Sequence, residues 1–432
     1  MSTGVQHPVT ADGDPPPFSE PAPSRPGRFA SPWTPILAVY CLYVLISFIN
    51  GMAGGERQFI GAIAFLGFLA VHAAPRLFPL RLTGLTLALL LAALIPAVPL
   101  FSGNLVWGET SPAYAAKYYA LLFLILAADT LQLPPLPEAP ARGWALGTVA
   151  GTLLLGSLLG IPAERVEGSY VNPNNFALAA MSVLFFSDPA RDRGWFKLLL
   201  HVFVVAMILL SGTTGALLGY FVGLGFSLLH TRWARSLSLL LAAGVLLALL
   251  WRPERAVDTR LLGEAPLLGP VWTKAQVIQD HFADLAAGTP LNLWEVGREY
   301  GGAELTSAAW RLMHWRRILE IFQDSPPLMK WFGWGPGASP LVLNNLPHND
   351  YLRFLIETGL CGLVANGAVW VLLYRRARPA VRWLAIMMAA YAFTENNLDN
   401  FTVMSLFVLF LVGADARSGA GSLERTPCAL PS

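Results

Sequence analysis

Long apolar runs separated by short loops constrain this chain more than anything else in it. A helix crossing a bilayer needs about 17–25 mostly apolar residues, and its backbone N–H and C=O groups must all find partners inside the helix. Runs of this kind fall at 33–50, 58–75, 82–100, 113–131, 143–161, 174–187, 197–211, 214–230, 236–251, 350–374, 380–395 and 400–414. Several are short, and the turn "SGTTG" at 211–215 divides one apolar stretch in two. Only 13% of the 432 residues are charged and 55% are hydrophobic, whereas soluble domains carry about a quarter charged residues. The expected fold is therefore an all-α polytopic membrane protein with about 12 transmembrane helices and one large helical outer loop.

Lys and Arg in the loops set the orientation. With the N-terminus inside, the inner segments hold sixteen cations, from Arg25 and Arg28 through Arg191, Arg193 and Lys197 to Arg417 and Arg425. The short outer loops hold three: Arg57, Lys117 and Arg165. Both termini are thus expected in the cytoplasm, with the long 252–349 loop outside. The expected organisation is a disordered cytoplasmic tail at 1–32, spans one to nine over 33–251, the outer loop, spans ten to twelve over 350–414, and a cytoplasmic tail at 415–432. The Pro-rich 1–32 segment has no basic stretch leading into an apolar core, so no cleaved signal peptide is expected. Its "DGD" at 12–14 matches a metal-binding D-x-D pattern that chance explains better. Three cysteines, Cys41, Cys361 and Cys428, form no disulfide or metal framework. A net charge of +2 gives no reason to expect nucleic acid as a partner.

The polar residues of interest gather on the outer face. In "AERVEGSYVNPNNFA", 163–177, Arg165 is the strong cation of its short loop. Asn172 and Pro173 suit an ordinary helix start, which leaves Arg165, Asn174 and Asn175 as candidate binding residues. Residues 305–323, "LTSAAWRLMHWRRILEIFQ", place Leu312, Trp315, Leu319 and Phe322 at helical spacing, with Arg311, His314, Arg316 and Arg317 elsewhere on the surface. That pattern predicts an amphipathic helix on the membrane or on the bundle. Arg311 and Trp315, one turn apart, share a face, although a snorkelling arginine would look the same. A weaker helix is predicted over 273–287.

The third region is "LPHNDYLRFLIETGLCG", 346–362. His348 and Asn349 stand at the N-terminus of a predicted span, where free N–H groups and the helix dipole favour anions. Arg353 and Glu357, spaced i, i+4, can pair inside the membrane. The pair is either functional or a structural strut. The fourth, "TENNLDN" at 394–400, either completes the rim of a pocket or merely solvates a turn.

No Walker A, H-E-x-x-H, G-x-S-x-G or metal-spaced Cys/His cluster is present. An outer-face enzyme without nucleotide or metal motifs needs a substrate activated beforehand, and a lipid diphosphate meets that need. Its leaving group suits arginines, which bind phosphate through two parallel N–H groups. A hydroxyl acceptor suits a histidine base.

The motifs resemble those of the bacterial O-antigen ligase and O-antigen polymerase superfamily. Arg165, Gly168 and "NPN" at 172–174 match its first pattern. Arg311, Trp315 and "GWGPG" at 333–337 match its second, and His348, Asn349, Leu352, Glu357 and Gly359 its H-N-x-x-L and E-x-G motifs. Together they cover roughly 160–412. Many members have Ser-Arg-Gly where this chain has "SGTTG", so no arginine role carries over there. The resemblance implies a bundle of the GT-C type with a periplasmic catalytic loop, in the bacterial inner membrane. It implies transfer of a glycan from undecaprenyl diphosphate to a hydroxyl of the lipid A core or of a growing polysaccharide, in lipopolysaccharide or exopolysaccharide biosynthesis, without metal or cofactor. His348 would activate the acceptor. Arg165 and Arg311 would meet the donor diphosphate, and Asn172, Asn174, Trp315 and Asn349 would bind substrate. Arg353 and Glu357 would form a structural ion pair. A transporter or flippase of lipid-linked glycans is the alternative, but it predicts midplane polar residues and repeat symmetry, and neither is evident.

Overall fold

The computed structural model describes residues 33–52, 58–77, 82–99, 106–108, 111–131, 133, 147, 151, 173–186, 194–228, 276–287, 289, 291–299, 306–343 and 346–413. Fifteen α-helices lie among them, with short 3-10 turns and no strand. They are α1 Trp33–Met52, α2 Gln58–Leu77, α3 Gly84–Leu94, α4 Ser111–Leu131, α5 Pro173–Ser182, α6 Gly194–Ser211, α7 Thr214–Leu228, α8 Phe282–Ala287, α9 Leu293–Glu299, α10 Ser307–Asp324, α11 Pro327–Phe332, α12 Ala338–Leu343, α13 Asp350–Arg376, α14 Arg382–Ala392 and α15 Phe401–Gly413. Ten of the expected apolar runs coincide with described helices. The run at 143–161 apart from residues 147 and 151, the run at 236–251, both tails, and Arg165, Gly168 and Asn172 lie outside the described residues.

Of the described helices, α4 and α13 are both long and apolar enough to cross a membrane; seven other apolar stretches are shorter. The outward sides of several helices are apolar as well: Leu42, Ile63, Val71, Leu87, Val202, Leu218, Val364 and Val371 are all exposed. An exterior of this kind suits lipid rather than water. At the centre lies α15, whose residues from Val403 to Leu411 are at most 1% exposed. A helix apolar on every side belongs in a core. Phe407 and Phe410 pack edge-on or tilted against Phe185, with ring centroids 5.1 and 5.7 Å apart.

Two glycine devices set the frame of the site. The first is a row on α7, Gly215, Gly219 and Gly223, facing α14. A Cβ on Gly219 would lie 2.9 Å from the Met387 carbonyl oxygen, and one on Gly223 would lie 2.6 Å from the Met387 Cβ. Small residues at four-residue spacing let helix backbones approach closely, which is how helices associate inside a membrane. This contact brings the C-terminal end of α14, and the turn after it, beside the N-terminus of α7.

The second device breaks α13. The expected continuous span at 350–374 is two helices in one, because Gly359 has φ 66° and ψ −170°. The break frees carbonyls that the "GWGPG" turn takes up: the Trp334 N–H donates to the Ile356 carbonyl at 2.8 Å, and the Gly335 N–H to Glu357 at 3.0 Å. Gly333, at φ 78°, lies so close to the Glu357 backbone that a Cβ would sit 2.3 Å from it. Gly359 is pressed equally hard against Trp331. Lining the break, Glu357 pairs with Arg353 at 3.2 Å, both side chains 5% exposed, and accepts a hydrogen bond from the Ser339 hydroxyl. Two motifs that look unrelated in sequence are thus the two halves of one joint.

Helix α10 forms as expected. Ala309 and Ile318 are buried, while Leu312 and Leu319 are 36% and 43% exposed. Arg311, expected on the surface, is turned inward, its side chain 17% exposed. Its electrostatic partner, Glu395, lies on the bundle. Arg316 and Arg317 stay outside, both paired with Glu320. In the weaker 273–287 candidate, helix covers 276–280 and then α8.

Candidate active site

The N-terminus of α13, the N-terminus of α7, the start of α10 and the turn after α14 meet at one end of the bundle. Between them is a polar cavity of about 240 Å³, lined by Asn174, Thr213, Trp310, Arg311, His348 and Glu395 among others. Glu395 is the hub. Its side chain is 4% exposed, and each of its carboxylate oxygens has its own partner. Arg311 Nη2 donates to Oε1 at 2.5 Å, and His348 Nδ1 is 2.9 Å from Oε2.

The backbone around Glu395 is held from α13. The Asn349 N–H donates to the Asn396 Oδ1 at 3.2 Å, and the Asn397 N–H donates to the Asp350 Oδ2 at 2.9 Å. Two successive turn residues are therefore stitched to the two residues after His348. His348 itself has φ 49°, a left-handed conformation that costs a non-glycine residue energy and persists only where its surroundings impose it. The surroundings are explicit. Asn349 caps α13, accepting the Leu352 N–H at 3.0 Å, and Trp315 Nε1 donates to the Pro347 carbonyl at 2.9 Å. The Trp315 ring packs at 5.1 Å from Phe393, and the Trp310 ring stands edge-on to the imidazole at 5.3 Å.

This geometry fixes the imidazole's chemistry. A carboxylate is an acceptor only, so neutral His348 donates from Nδ1 to Glu395 and keeps an unprotonated Nε2. The imidazole is 31% exposed, so it remains open to a substrate. The charges of Arg311 and Glu395 largely cancel, so the pair alone adds little net positive charge for an anion. His314, packed on Trp310 with ring centroids 3.8 Å apart, is held below the ordinary histidine range by burial, with nearby His348 adding to the effect. At neutral pH it adds no cation either.

The sequence candidates divide clearly. Arg311, His348 and Asn174 line the cavity. Asn174 accepts the Thr213 hydroxyl at 3.2 Å, and its carbonyl accepts the Tyr391 hydroxyl at 3.1 Å. Trp315 and Asn349, expected to bind substrate, hydrogen-bond backbone groups on either side of His348; Asn349 is 1% exposed. The Arg353–Glu357 pair sits at the α13 break, away from the cavity lining. Glu395 lies in the turn that the sequence offers as a pocket rim, but its carboxylate does not stand out there. One of two carboxylates in "TENNLDN" and 47 positions after His348, it gives no local signal of its partner. The "SGTTG" turn supplies Gly212, Thr213, Thr214 and Gly215 to the cavity wall, so small and hydroxyl residues line it there.

Residues 199–367 match the O-antigen ligase family, which supports the resemblance to the O-antigen ligase and polymerase superfamily. The matched stretch includes Arg311, Trp315, "GWGPG", His348, Glu357 and Gly359, and leaves Asn174 and Glu395 outside. No curated protein is a significant match to the chain.

Proposed function

We propose that this chain is a membrane glycosyltransferase of the O-antigen ligase/polymerase class, moving a glycan from a polyprenyl diphosphate to an acceptor hydroxyl on the outer face of a bacterial inner membrane. The observation that carries the reading is the bridging of Arg311 and His348 by buried Glu395 at the polar cavity. The acceptor hydroxyl donates to His348 Nε2. Its oxygen attacks the anomeric carbon of the donor, the bond from that carbon to the diphosphate oxygen breaks, and the proton passes to Nε2. Glu395 holds the imidazole in the tautomer this requires and stabilises the imidazolium formed, the part a carboxylate plays in other acid–base relays. The leaving diphosphate carries away the negative charge. Because Glu395 offsets Arg311, a second cation is needed there, and Arg165 is the residue proposed for it.

The test is reconstitution of the purified protein in liposomes with a polyprenyl-diphosphate-linked glycan and a hydroxyl acceptor. A new glycosidic bond and stoichiometric release of polyprenyl diphosphate are expected. Movement of the donor between leaflets with no new bond would instead support a flippase. A core-lipid acceptor used in preference to a second lipid-linked repeat unit would mark a ligase, and the reverse a polymerase.

Trp315→Phe is expected to slow transfer by roughly 5-fold, because it removes one hydrogen bond of about 1 kcal/mol from the Pro347 carbonyl while keeping the ring beside Phe393. Membrane yield should not change. An unaltered rate would show that Trp315 does not set the position of His348.

A further inference from the structure

The walls of the polar cavity differ in chemistry. Trp310 gives it a broad aromatic side, whereas Asn174, Thr213, Thr214 and Ser307 supply an amide and three hydroxyls. The indole is fixed on two sides. It lies against the His314 ring, with centroids 3.8 Å apart, and stands at 79° to the His348 imidazole, 5.3 Å away. His314 is itself tied to the helix, its Nδ1 lying 3.0 Å from the Trp310 carbonyl. Trp310 is half-buried and still lines the cavity, so a flat apolar surface is held at a set angle to the imidazole.

The hydroxyl side is directed as well. Ser211 donates to the Thr213 oxygen at 3.0 Å, and Thr213 donates to the Asn174 Oδ1 at 3.2 Å. With its proton committed to Asn174, Thr213 can offer a ligand only an acceptor lone pair. Such a wall favours a ligand that brings hydroxyl protons.

Size and charge narrow the ligand further. The cavity volume of about 240 Å³ is less than the roughly 300–1,000 Å³ of pockets for drug-sized ligands, so it holds one ring rather than an oligosaccharide. Arg311 already pairs with Glu395. A ligand carboxylate would therefore meet Glu395 with no second arginine or lysine among the described lining residues to offset it, and an uncompensated charge in a buried site is costly. A pyranose without a charged substituent meets every one of these conditions. Its C–H face suits the indole, and its hydroxyls suit the opposite wall.

We propose that this cavity is the subsite of the acceptor sugar: it takes one uncharged pyranose, stacked on Trp310 with its reacting hydroxyl at His348, and rejects sugars that carry a carboxylate. The role of that sugar as acceptor rests on the transferase reading; its binding does not.

Two measurements test the subsite. In the first, purified protein in sugar-free lipid nanodiscs is mixed with the methyl glycosides of glucose, galactose, mannose, rhamnose and N-acetylglucosamine, and with those of glucuronic and galacturonic acid. Binding is read by magnetisation transfer from protein to ligand protons. Transfer to the ring C–H protons of at least one neutral glycoside is expected, with little to the two uronides. Trp310→Ala should weaken that binding by roughly 10-fold, equivalent to about 1.4 kcal/mol. Trp310→Phe keeps an aromatic wall and should recover most of the loss. Binding of no neutral glycoside, equal binding of the uronides, or unchanged binding in Trp310→Ala would each overturn the proposal. Where Trp310→Ala does not fold, unchanged binding in Thr213→Val, which keeps the shape and removes the hydroxyl, would do so. In the second, reconstituted Trp310→Ala is expected to raise KM for the acceptor by a similar factor and leave KM for the lipid-linked donor unchanged. A rise in the donor KM instead would assign the ring to the donor and overturn the acceptor subsite. Because the first assay needs no turnover, wild-type protein that binds neutral glycosides but forms no glycosidic bond would refute the transferase reading and leave the sugar subsite standing. Transfer without glycoside binding would do the reverse.

Discussion

His348→Ala is expected to reduce glycan transfer by roughly two to four orders of magnitude, the range for loss of a positioned general base, while the protein stays in the membrane and monodisperse. Glu395→Gln should produce a large share of the same loss. Glutamine is nearly isosteric, but its neutral amide neither favours the Nδ1–H tautomer as strongly nor stabilises the imidazolium. The double variant should be little worse than His348→Ala alone, because residues that act as a unit lose their effect together. Additive losses would show that Glu395 acts on something other than the imidazole. Arg311→Ala is a less clean test. It leaves the nearly buried Glu395 carboxylate without its cation, and an uncompensated buried charge costs stability in its own right. Its transfer rate therefore has to be read beside its yield. Full activity in reconstituted His348→Ala would end the proposed mechanism.

Much of this architecture was legible because hydropathy and helix length follow from one physical demand, backbone satisfaction in an apolar medium. The helix boundaries of α1, α2, α4, α6 and α15 follow the apolar runs closely. What the runs could not show was where a helix stops being one. Gly359 sits inside one predicted span, and only its backbone packing against Trp331 and Phe332 reveals that it leaves the helix. Periodicity places Leu312 and Leu319 on one face of α10 but does not show that Arg311 turns inward, because its partner Glu395 lies 84 positions away. The four-residue spacing of Gly215, Gly219 and Gly223 is a signal of close helix contact that the sequence does carry. The site is thus half visible in the sequence: its histidine and arginine stand out by residue type, and the carboxylate joining them is found only by folding.

Gly359→Ala is expected to destabilise the protein by at least about 3 kcal/mol, the upper range for a non-glycine residue forced into an unfavourable backbone conformation, with a backbone clash in addition. A Cβ there would lie 2.4 Å from the Trp331 carbonyl carbon and oxygen. Both are main-chain atoms, so no rotamer change relieves the overlap. Gly333→Ala meets the same obstacle from the other side, 2.3 Å from the Glu357 backbone at φ 78°. The clash would push the "GWGPG" turn off α13, and the Ile356 and Glu357 carbonyls would then lose the N–H donors of Trp334 and Gly335. Unsatisfied backbone carbonyls are expensive away from water. The expected readout is a collapse in the yield of monodisperse protein for either variant. Since both variants break one interface, the pair together should cost much less than the sum. Gly67→Ala on α2, where a Cβ meets nothing within 4 Å, should be neutral or slightly stabilising. If Gly359→Ala instead kept wild-type yield, the upper part of α13 would have to be able to straighten into a continuous helix. The register of His348 against Glu395 would then shift, and transfer should fall even in a well-folded protein. Yield and rate therefore separate a joint that holds the fold from one that only aims the histidine.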